Sequence, residues 1–264
     1  MQANRNAAEA QVRAAAAAGA NLVVLPEKWP ILSGDEETRA MAEPLDGPSM
    51  LLASNLAQEL GIDLIAGSFA ESLPESDLMA NTSVHFGPDG KRKSVYRKMH
   101  LFDAEVGGRS YRESAAFKPG NRPVLATLAD GTVAGMAICF DLRFPDLFQN
   151  LAEHGAEVIV LPAAFTKATT DSHWEVLCRA RAVENGVHLI AANQDGRDGA
   201  GRPAGGRSMI VGPWGEVLVE CPPGAGFAMT DLDEAARQDA RKALPLAALR
   251  RDQANLEPMR GKES

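Results

Sequence analysis

The chain has 264 residues, of which 45% are hydrophobic, and this predicts one globular domain over 1–264 with a single core. Its formal net charge of −8 argues against a nucleic acid or an anionic membrane as partner, because phosphate binding depends on clustered Lys and Arg. The first residues lack the basic-then-apolar pattern of a signal peptide, and no apolar run approaches the roughly 18 residues of a membrane span.

The cysteine and histidine spacings argue against disulfides and a bound metal ion. Cys139, Cys178 and Cys221 show no Cys-x-x-Cys spacing, which predicts free thiols in a reducing, cytoplasmic compartment. The histidines show neither His-Glu-x-x-His nor another paired spacing, so we expect no metal ion. Segment 199–204 fits a loose dinucleotide fingerprint, but a proline stands where its helix should open, so we predict a flexible loop and no cofactor.

Helical and extended patterns alternate along the first half of the chain. A helix at 4–18 ends at Gly19, and a short apolar strand at 22–25 follows. The remaining predicted elements of this half are a helix at 48–60 stopped by Gly61, a strand near 63–67, a hairpin at 81–97 that turns at 88–90, and a hairpin at 123–138 that turns at 130–131.

The second half repeats the helix-strand unit. A helix at 144–154 and a strand at 158–162 that ends in Leu-Pro match the first unit, which indicates two related halves. Ser172 and Glu175 form a capping-box pattern that predicts a helix from there to Glu184. The other predicted elements are a strand at 187–192, a Gly-rich loop at 194–207, a hairpin at 208–219 and a polar helix near 231–242. Because strands outnumber helices, we predict a mixed α/β layered domain.

Three chemically capable residues follow predicted strands. Cys139 lies at a strand-to-helix turn, where backbone N–H groups and the helix dipole favour a thiolate, although a free cysteine is often only a small buried hydrophobe. Glu27 and Lys98 also lie at strand ends, and each alone is typical of a solvated surface residue. Because α/β folds build sites at strand ends, their coincidence favours one shared site. A serine nucleophile is not supported, since no Gly-x-Ser-x-Gly motif is present.

Several sequence blocks resemble the nitrilase superfamily of carbon-nitrogen hydrolases over nearly the whole chain, to about Leu244. These blocks are 25–27, 96–103, 138–147, 172–175, 179–185 and 192–194. The blocks around Lys98 and Cys139 look most like the branch of omega-amidases and deaminated-glutathione amidases. True nitrilases usually carry Trp-Glu directly after the cysteine, whereas this chain has Phe140 and Asp141, which points to an amide substrate.

The resemblance implies a four-layer α-β-β-α sandwich, in agreement with the two related halves. Relatives pair through helices next to the nucleophile strand, so we expect a homodimer or higher homo-oligomer with 144–154 and 172–185 as its surfaces. The family opens with a β-strand before the first helix, whereas this sequence starts almost at the helix. We therefore expect either a start site further upstream or a fold that lacks the first strand.

The resemblance also implies roles for individual residues. Cys139 is expected to be the nucleophile and Glu27 the general base, with Lys98 and the backbone N–H of Phe140 stabilising the oxyanion. Glu113 resembles a second glutamate that holds the substrate or the lysine in many relatives.

Substrate binding is expected to involve three more residues. Arg143 lies one turn beyond the cysteine and would pair with a substrate carboxylate; the alternative is a salt bridge with Asp146 or Glu113. Phe165 and Thr170 resemble pocket residues of the omega-amidase branch.

Three functions are compatible with these observations. The first is an amidase that releases ammonia from a small carboxylate-bearing amide, such as an alpha-keto omega-amide or deaminated glutathione, through a cysteine thioester. The second is an N-carbamoyl amide hydrolase or a nitrilase of the same family. The third is a non-catalytic protein that binds a partner on the same fold, and the presence of Glu27, Lys98 and Cys139 together opposes it.

Overall fold

The computed structural model describes residues 1–251, in which two β-sheets pack face to face and helices cover the outer side of each sheet. Apolar residues of both sheets, among them Ile65 and Tyr96 from the first and Val160 and Leu189 from the second, share one buried cluster. Burial of this shared apolar surface holds the sheets together. The four-layer α-β-β-α sandwich is therefore confirmed.

The first sheet has five strands. Strand β1 (Leu22–Val24) pairs in parallel with β2 (Asp63–Ile65), and both β2 and β3 (Phe69–Glu71) pair antiparallel with β4 (Ala80–Phe86). Strand β5 (Arg92–Arg97) lies along the opposite edge of β4. The helices of this half are α1 (Gln2–Ala17), α2 (Asp35–Ala40) and α3 (Pro48–Leu60), of which α1 and α3 pack on the sheet.

A small hairpin separates the halves, and a six-stranded sheet follows it. The hairpin consists of β6 (Asp103–Val106) and β7 (Arg109–Arg112). The strands of the second sheet, in spatial order, are β8 (Leu125–Thr127), β9 (Val133–Met136), β10 (Val158–Ala163), β11 (His188–Asn193), β12 (Met209–Val211) and β13 (Val217–Glu220). Strands β9, β10 and β11 run in parallel, and all of β10 is buried, as expected for a strand covered on both faces.

Two helices of the second half, α4 (Pro145–Glu153) and α6 (Glu175–Asn185), cover the outer face of this sheet. The other helices of this half are α5 (Lys167–Thr169), α7 (Glu234–Ala243) and α8 (Leu246–Leu249). Helices α4 and α6 pack on each other and on the strands next to Cys139. Within residues 1–251, every helix is too short or too polar to cross a bilayer.

Most predicted elements are present, and one helix start was wrong. The capping box at Ser172 is not formed; instead, the Thr166 side chain caps α5, and a π-helical turn at Thr170–Trp174 joins α5 to α6. The helix therefore begins a full turn or more before Ser172, because a competing threonine cap satisfies its first free N–H groups.

Strand β1 lies at an edge of the first sheet. Leu25 N–H donates to Ile65 O and Asp63 N–H donates to Asn21 O, so the backbone groups of Leu22 and Val24 point away from β2. Within the described residues no strand precedes α1 or pairs with this second edge. A cavity of about 630 Å³ runs along β1 toward Phe227, and it holds none of the predicted catalytic residues.

Candidate active site

Cys139 begins a 3₁₀ turn, Cys139–Arg143, between β9 and α4. Its φ of 46° lies in the left-handed region, where a side chain with a Cβ is strained and where functional residues are often found. The residue is buried and lines a cavity of about 530 Å³. The sequence prediction of a nucleophile at a strand-to-helix turn agrees with this geometry.

Asp141 holds this turn in place. Its Oδ2 accepts hydrogen bonds from Ile138 N–H at 2.9 Å and from the Tyr96 hydroxyl at 2.7 Å. Its Oδ1 faces His100, accepting from the backbone N–H at 3.1 Å and lying 2.7 Å from Nδ1. A fully buried carboxylate is stable only when its oxygens are satisfied in this way, so the strained turn is fixed by charge-assisted hydrogen bonds from two strands.

Glu27 and Lys98 meet beside Cys139. Glu27 follows β1, and its N–H donates to the carbonyl of Ala163 at the end of β10. Lys98 follows β5, and its Nζ donates to Glu27 Oε1 at 3.0 Å. The side chains of Glu27 and Lys98 are only 4% and 2% exposed, so this ion pair is removed from water.

Glu113 completes the buried charge group. Its Oε2 accepts hydrogen bonds from Lys98 Nζ at 2.8 Å and from Phe102 N–H at 2.8 Å. Lys98 therefore lies between two carboxylates, and of the two contacts expected for Glu113, to the substrate or to the lysine, the structure contains the one to Lys98. Hydrogen bonds that involve charged groups are the strong ones in a buried site, so the geometry is well defined.

The electrostatics of the site keep the thiol protonated. Burial raises the pKa of Cys139 well above its ordinary value, and the charge of Glu27 adds to this effect, while Lys98 and the Ala164 N–H oppose it. Burial and Glu27 thus outweigh the backbone N–H effect that the sequence suggested would favour the thiolate. Burial also acts against the charge of Lys98, but Glu113 and Glu27 outweigh it and raise its pKa well above the ordinary value. The lysine stays charged.

Arg143 lies among aromatic rings beside the cavity, and it is absent from the cavity wall that Cys139 and Phe165 line. The Phe140 ring packs edge-on against Phe102 and Phe144, with centroids 5.0 and 5.6 Å apart. The guanidinium carbon of Arg143 lies 5.8 Å from the Phe140 ring centroid and 5.5 Å from that of Phe165. Arg143 also donates to His173 Nδ1 at 3.2 Å. Neither salt bridge considered from the sequence, to Asp146 or to Glu113, is formed within the described residues.

Phe165 and Thr170 have different positions. Phe165 lines the same cavity as Cys139, and its ring packs against Trp174 with centroids 4.8 Å apart. Thr170 is 1% exposed and is absent from the cavity wall; its hydroxyl contacts Asn193 Nδ2 at 3.4 Å, and the residue packs closely against Gly205. The structure thus brings Phe165 to the candidate site and places Thr170 behind it.

Two further residues contact the charge group and were missed in the sequence. Asn81 Nδ2 donates to Glu27 Oε1 at 2.8 Å and to Glu113 Oε1 at 3.1 Å. Lys28 Nζ lies 3.1 Å from Glu113 Oε1. The position of Asn81 at the start of β4 gives no local signal, and the adjacency of Lys28 to Glu27 does not reveal its contact with the distant Glu113.

Comparison with known proteins identifies the family. Residues 1–242 match the family model described as carbon-nitrogen hydrolase. The chain belongs to this family. Carbon-nitrogen hydrolases are enzymes, so membership of this family argues against the third function, a non-catalytic protein that binds a partner.

Named relatives lie within the same family. The chain is 40% identical to deaminated glutathione amidase of Mus musculus over 91% of its own length and 76% of the relative's. It is 37% identical to omega-amidase NIT2 of Pongo abelii, covering 89% and 84% of the two chains. Among solved structures, Nit3 of Saccharomyces cerevisiae, described as a member of branch 10 of the nitrilase superfamily, matches with a TM-score of 0.83 and 30% identity over 97% of this chain and 91% of the other. The resemblance to the nitrilase superfamily and its amidase branch is confirmed.

Proposed function

We propose that the protein is an amidase that releases ammonia from a small, carboxylate-bearing amide through a thioester on Cys139. The observation that carries this proposal is the buried group of Glu27, Lys98 and Glu113 beside the Cys139 thiol. A buried carboxylate, a buried ammonium and a buried thiol at one cavity supply a base, an oxyanion partner and a nucleophile.

The first half of the reaction forms the thioester. Glu27 takes the thiol proton as the Cys139 sulfur attacks the amide carbonyl, because the raised pKa of the thiol makes a base necessary. Lys98 and the Phe140 N–H stabilise the oxyanion, an effect on the order of 3 kcal/mol per donor. Protonated Glu27 then gives its proton to the leaving nitrogen, the C–N bond breaks, and ammonia departs.

The second half regenerates the enzyme. Glu27 takes a proton from water as the water oxygen attacks the thioester carbonyl, and the same oxyanion partners stabilise the second tetrahedral intermediate. The C–S bond breaks, the sulfur recovers its proton from Glu27, and the carboxylic acid product leaves. One amide and one water thus give one acid and one ammonia.

The proposed substrate class rests on Arg143. Its guanidinium is partly buried between Phe140 and Phe165, and burial lowers its pKa, with only the nearby Cys139 sulfur acting in the opposite direction. Within residues 1–251 no carboxylate pairs with it. A cation that has lost water without gaining an anion favours a substrate that carries a carboxylate. The relatives named as deaminated glutathione amidase and omega-amidase support the same class.

An ammonia-release assay tests the proposal. The panel contains alpha-keto omega-amides, deaminated glutathione, neutral amides of equal length, N-carbamoyl amino acids and nitriles. We expect turnover of the carboxylate-bearing amides, none by Cys139→Ala, and a similar loss in kcat/KM from removing either the substrate carboxylate or the Arg143 side chain, with little further loss from both. Preferred turnover of nitriles or N-carbamoyl compounds would support the second function, and full activity of Cys139→Ala would overturn the mechanism.

Oligomeric state and location stay predictions. Helices α4 and α6 form an outer surface on which Val176 is 61% and Val183 38% exposed, and this supports pairing of two copies through it. Cys139, Cys178 and Cys221 are free thiols, which is compatible with the predicted cytoplasmic location.

A further inference from the structure

Lys28 has an unusual backbone next to the candidate base. Its φ of 50° lies in the left-handed region, and its N–H donates to Ser68 Oγ at 3.0 Å. A non-glycine residue is strained there and persists only where its surroundings hold it. This conformation turns the chain directly after Glu27, and Lys28 lines the same cavity as Cys139.

The Lys28 ammonium is committed to Glu113. Its Nζ lies 3.1 Å from Glu113 Oε1 and 4.2 Å from the centroid of the Phe117 ring, and the side chain is only 17% exposed. The aromatic face and the carboxylate both favour a cation at this place. Since Lys98 binds the other oxygen of Glu113, that carboxylate has one ammonium on each oxygen.

Lys28 makes the buried group of charged side chains electrically neutral. The buried group contains two carboxylates, Glu27 and Glu113, and two ammonium groups, Lys98 and Lys28. Burial acts to raise the pKa of Glu113, but Lys28 and then Lys98 outweigh it and hold the pKa well below its usual range. Without Lys28 the group would carry one excess negative charge at the place where the reaction develops another.

We propose that Lys28 is a positioning residue for the amidase reaction: by neutralising Glu113 it leaves the Lys98 ammonium for Glu27 and the oxyanion. This inference rests on the proposed function. It predicts an effect on the chemical step, because the oxyanion exists only in the transition state and intermediate, and little effect on binding of the uncharged amide group.

The rival role for Lys28 is to bind a substrate carboxylate. That role requires a free ammonium, whereas Lys28 already contacts Glu113 and Phe117. The two roles differ in measurable ways: a carboxylate ligand affects KM and only for carboxylate-bearing amides, whereas a positioning residue affects kcat for charged and neutral amides alike.

The experiment compares Lys28→Met, Lys28→Gln and Lys28→Arg, with Lys118→Met as the control. Lys118 is an exposed lysine one residue after Phe117 and lies outside the cavity wall. The best carboxylate-bearing amide and its neutral analogue are assayed with each variant, and thermal denaturation reports folding.

We expect Lys28→Met and Lys28→Gln to lower kcat about tenfold or more on both substrates with KM within about twofold, and Lys28→Arg to restore most of the rate. Lys118→Met should match the parent enzyme. Unchanged kcat in a folded Lys28→Met or Lys28→Gln variant, or a KM effect confined to the carboxylate-bearing amide, overturns the inference while the amidase function stands. Absence of turnover by the parent enzyme overturns the proposed function and this inference with it.

Discussion

The Cys139 thiol depends on its neighbours for reactivity. Burial and the charge of Glu27 both raise its pKa, and the charge of Lys98 lowers it. A protonated resting thiol protects the enzyme from adventitious oxidation and alkylation, since the thiolate is the reactive form. In the proposed mechanism, proton transfer to Glu27 accompanies each attack, so we expect Glu27 to have opposite effects on the resting thiol and on turnover.

Glu27→Gln separates these two effects. Removing the negative charge beside the sulfur lowers the pKa of Cys139, so iodoacetamide alkylation of Cys139 should rise at lower pH than in the parent enzyme. Amide turnover should fall about a hundredfold or more, because no base remains. Peptide mass spectrometry at each pH identifies the alkylated cysteine, and Lys98→Met is the control that should shift the alkylation profile to higher pH. A Glu27→Gln variant with normal turnover would contradict the role of Glu27.

The sequence was sufficient to predict that Glu27, Lys98 and Cys139 share one site, while their expected roles came from the family resemblance. Glu27, Lys98 and Cys139 each end a strand, and parallel or facing strands bring such ends together. Lys28 was missed because its role depends on a left-handed backbone and on Glu113, which is distant in the sequence. The balance at Cys139 also depends on the folded chain, because burial and the charge of Glu27 raise its pKa more than the Ala164 N–H lowers it.

At the scale of elements, periodic segments were predicted well and short polar ones were not. Helix α3 ends at Gly61, as its left-handed φ of 66° requires, and the hairpins β4–β5 and β8–β9 turn at Asp89-Gly90 and Asp130-Gly131. Hairpin β6–β7 was missed because its strands are short and mostly exposed, so no apolar alternation marks them. Thr166, rather than Ser172, caps the helix although only Ser172 has the Glu at N3 of a capping box, because both are good N-cap residues and packing decides between them.

Strand β1 provides a test of the sheet topology. Val23 faces β2 in the parallel ladder, whereas the N–H groups of Leu22 and Val24 face the open edge and the adjacent cavity. We expect the amides of Leu22 and Val24 to exchange with solvent deuterium at least about tenfold faster than that of Val23, as measured by NMR. The interior amides of β10, which is paired on both edges, serve as the slow reference. Equal protection of all three β1 amides would show that another segment covers this edge.

At the scale of the whole molecule, the candidate active site takes residues from both sheets, and these sheets also share one buried core. Glu27 and Lys98 follow strands of the first sheet, while Cys139 follows a strand of the second. The buried apolar cluster between the sheets therefore fixes the distance between the proposed base and the proposed nucleophile. Because a shift of about 1 Å between reacting groups is costly, we expect the packing of the two sheets to affect turnover.

The predicted dimer through the outer surface of α4 and α6 can be tested by mutation. If two copies pair through this surface, Val176→Glu places an unpaired charge in the interface and should raise the dimer dissociation constant about tenfold or more. Size-exclusion chromatography with light scattering over a concentration series measures this. Leu51→Glu is the matched control, since Leu51 is 53% exposed on α3 in the other half of the chain. A monomeric parent enzyme, or the same mass for both variants, would show the dimer prediction to be wrong.

The open edge of β1 also bears on how the protein behaves in concentrated solution. Leu22 and Val24 present N–H and C=O groups that any extended chain can bond, whatever its sequence, and this edge carries no lysine or proline to discourage such pairing. Self-association of this kind is made by backbone groups and is therefore insensitive to salt. We therefore expect dilution to reduce this self-association more than a change of ionic strength does. A lysine introduced into this edge should also reduce it, because a charged side chain discourages strand pairing.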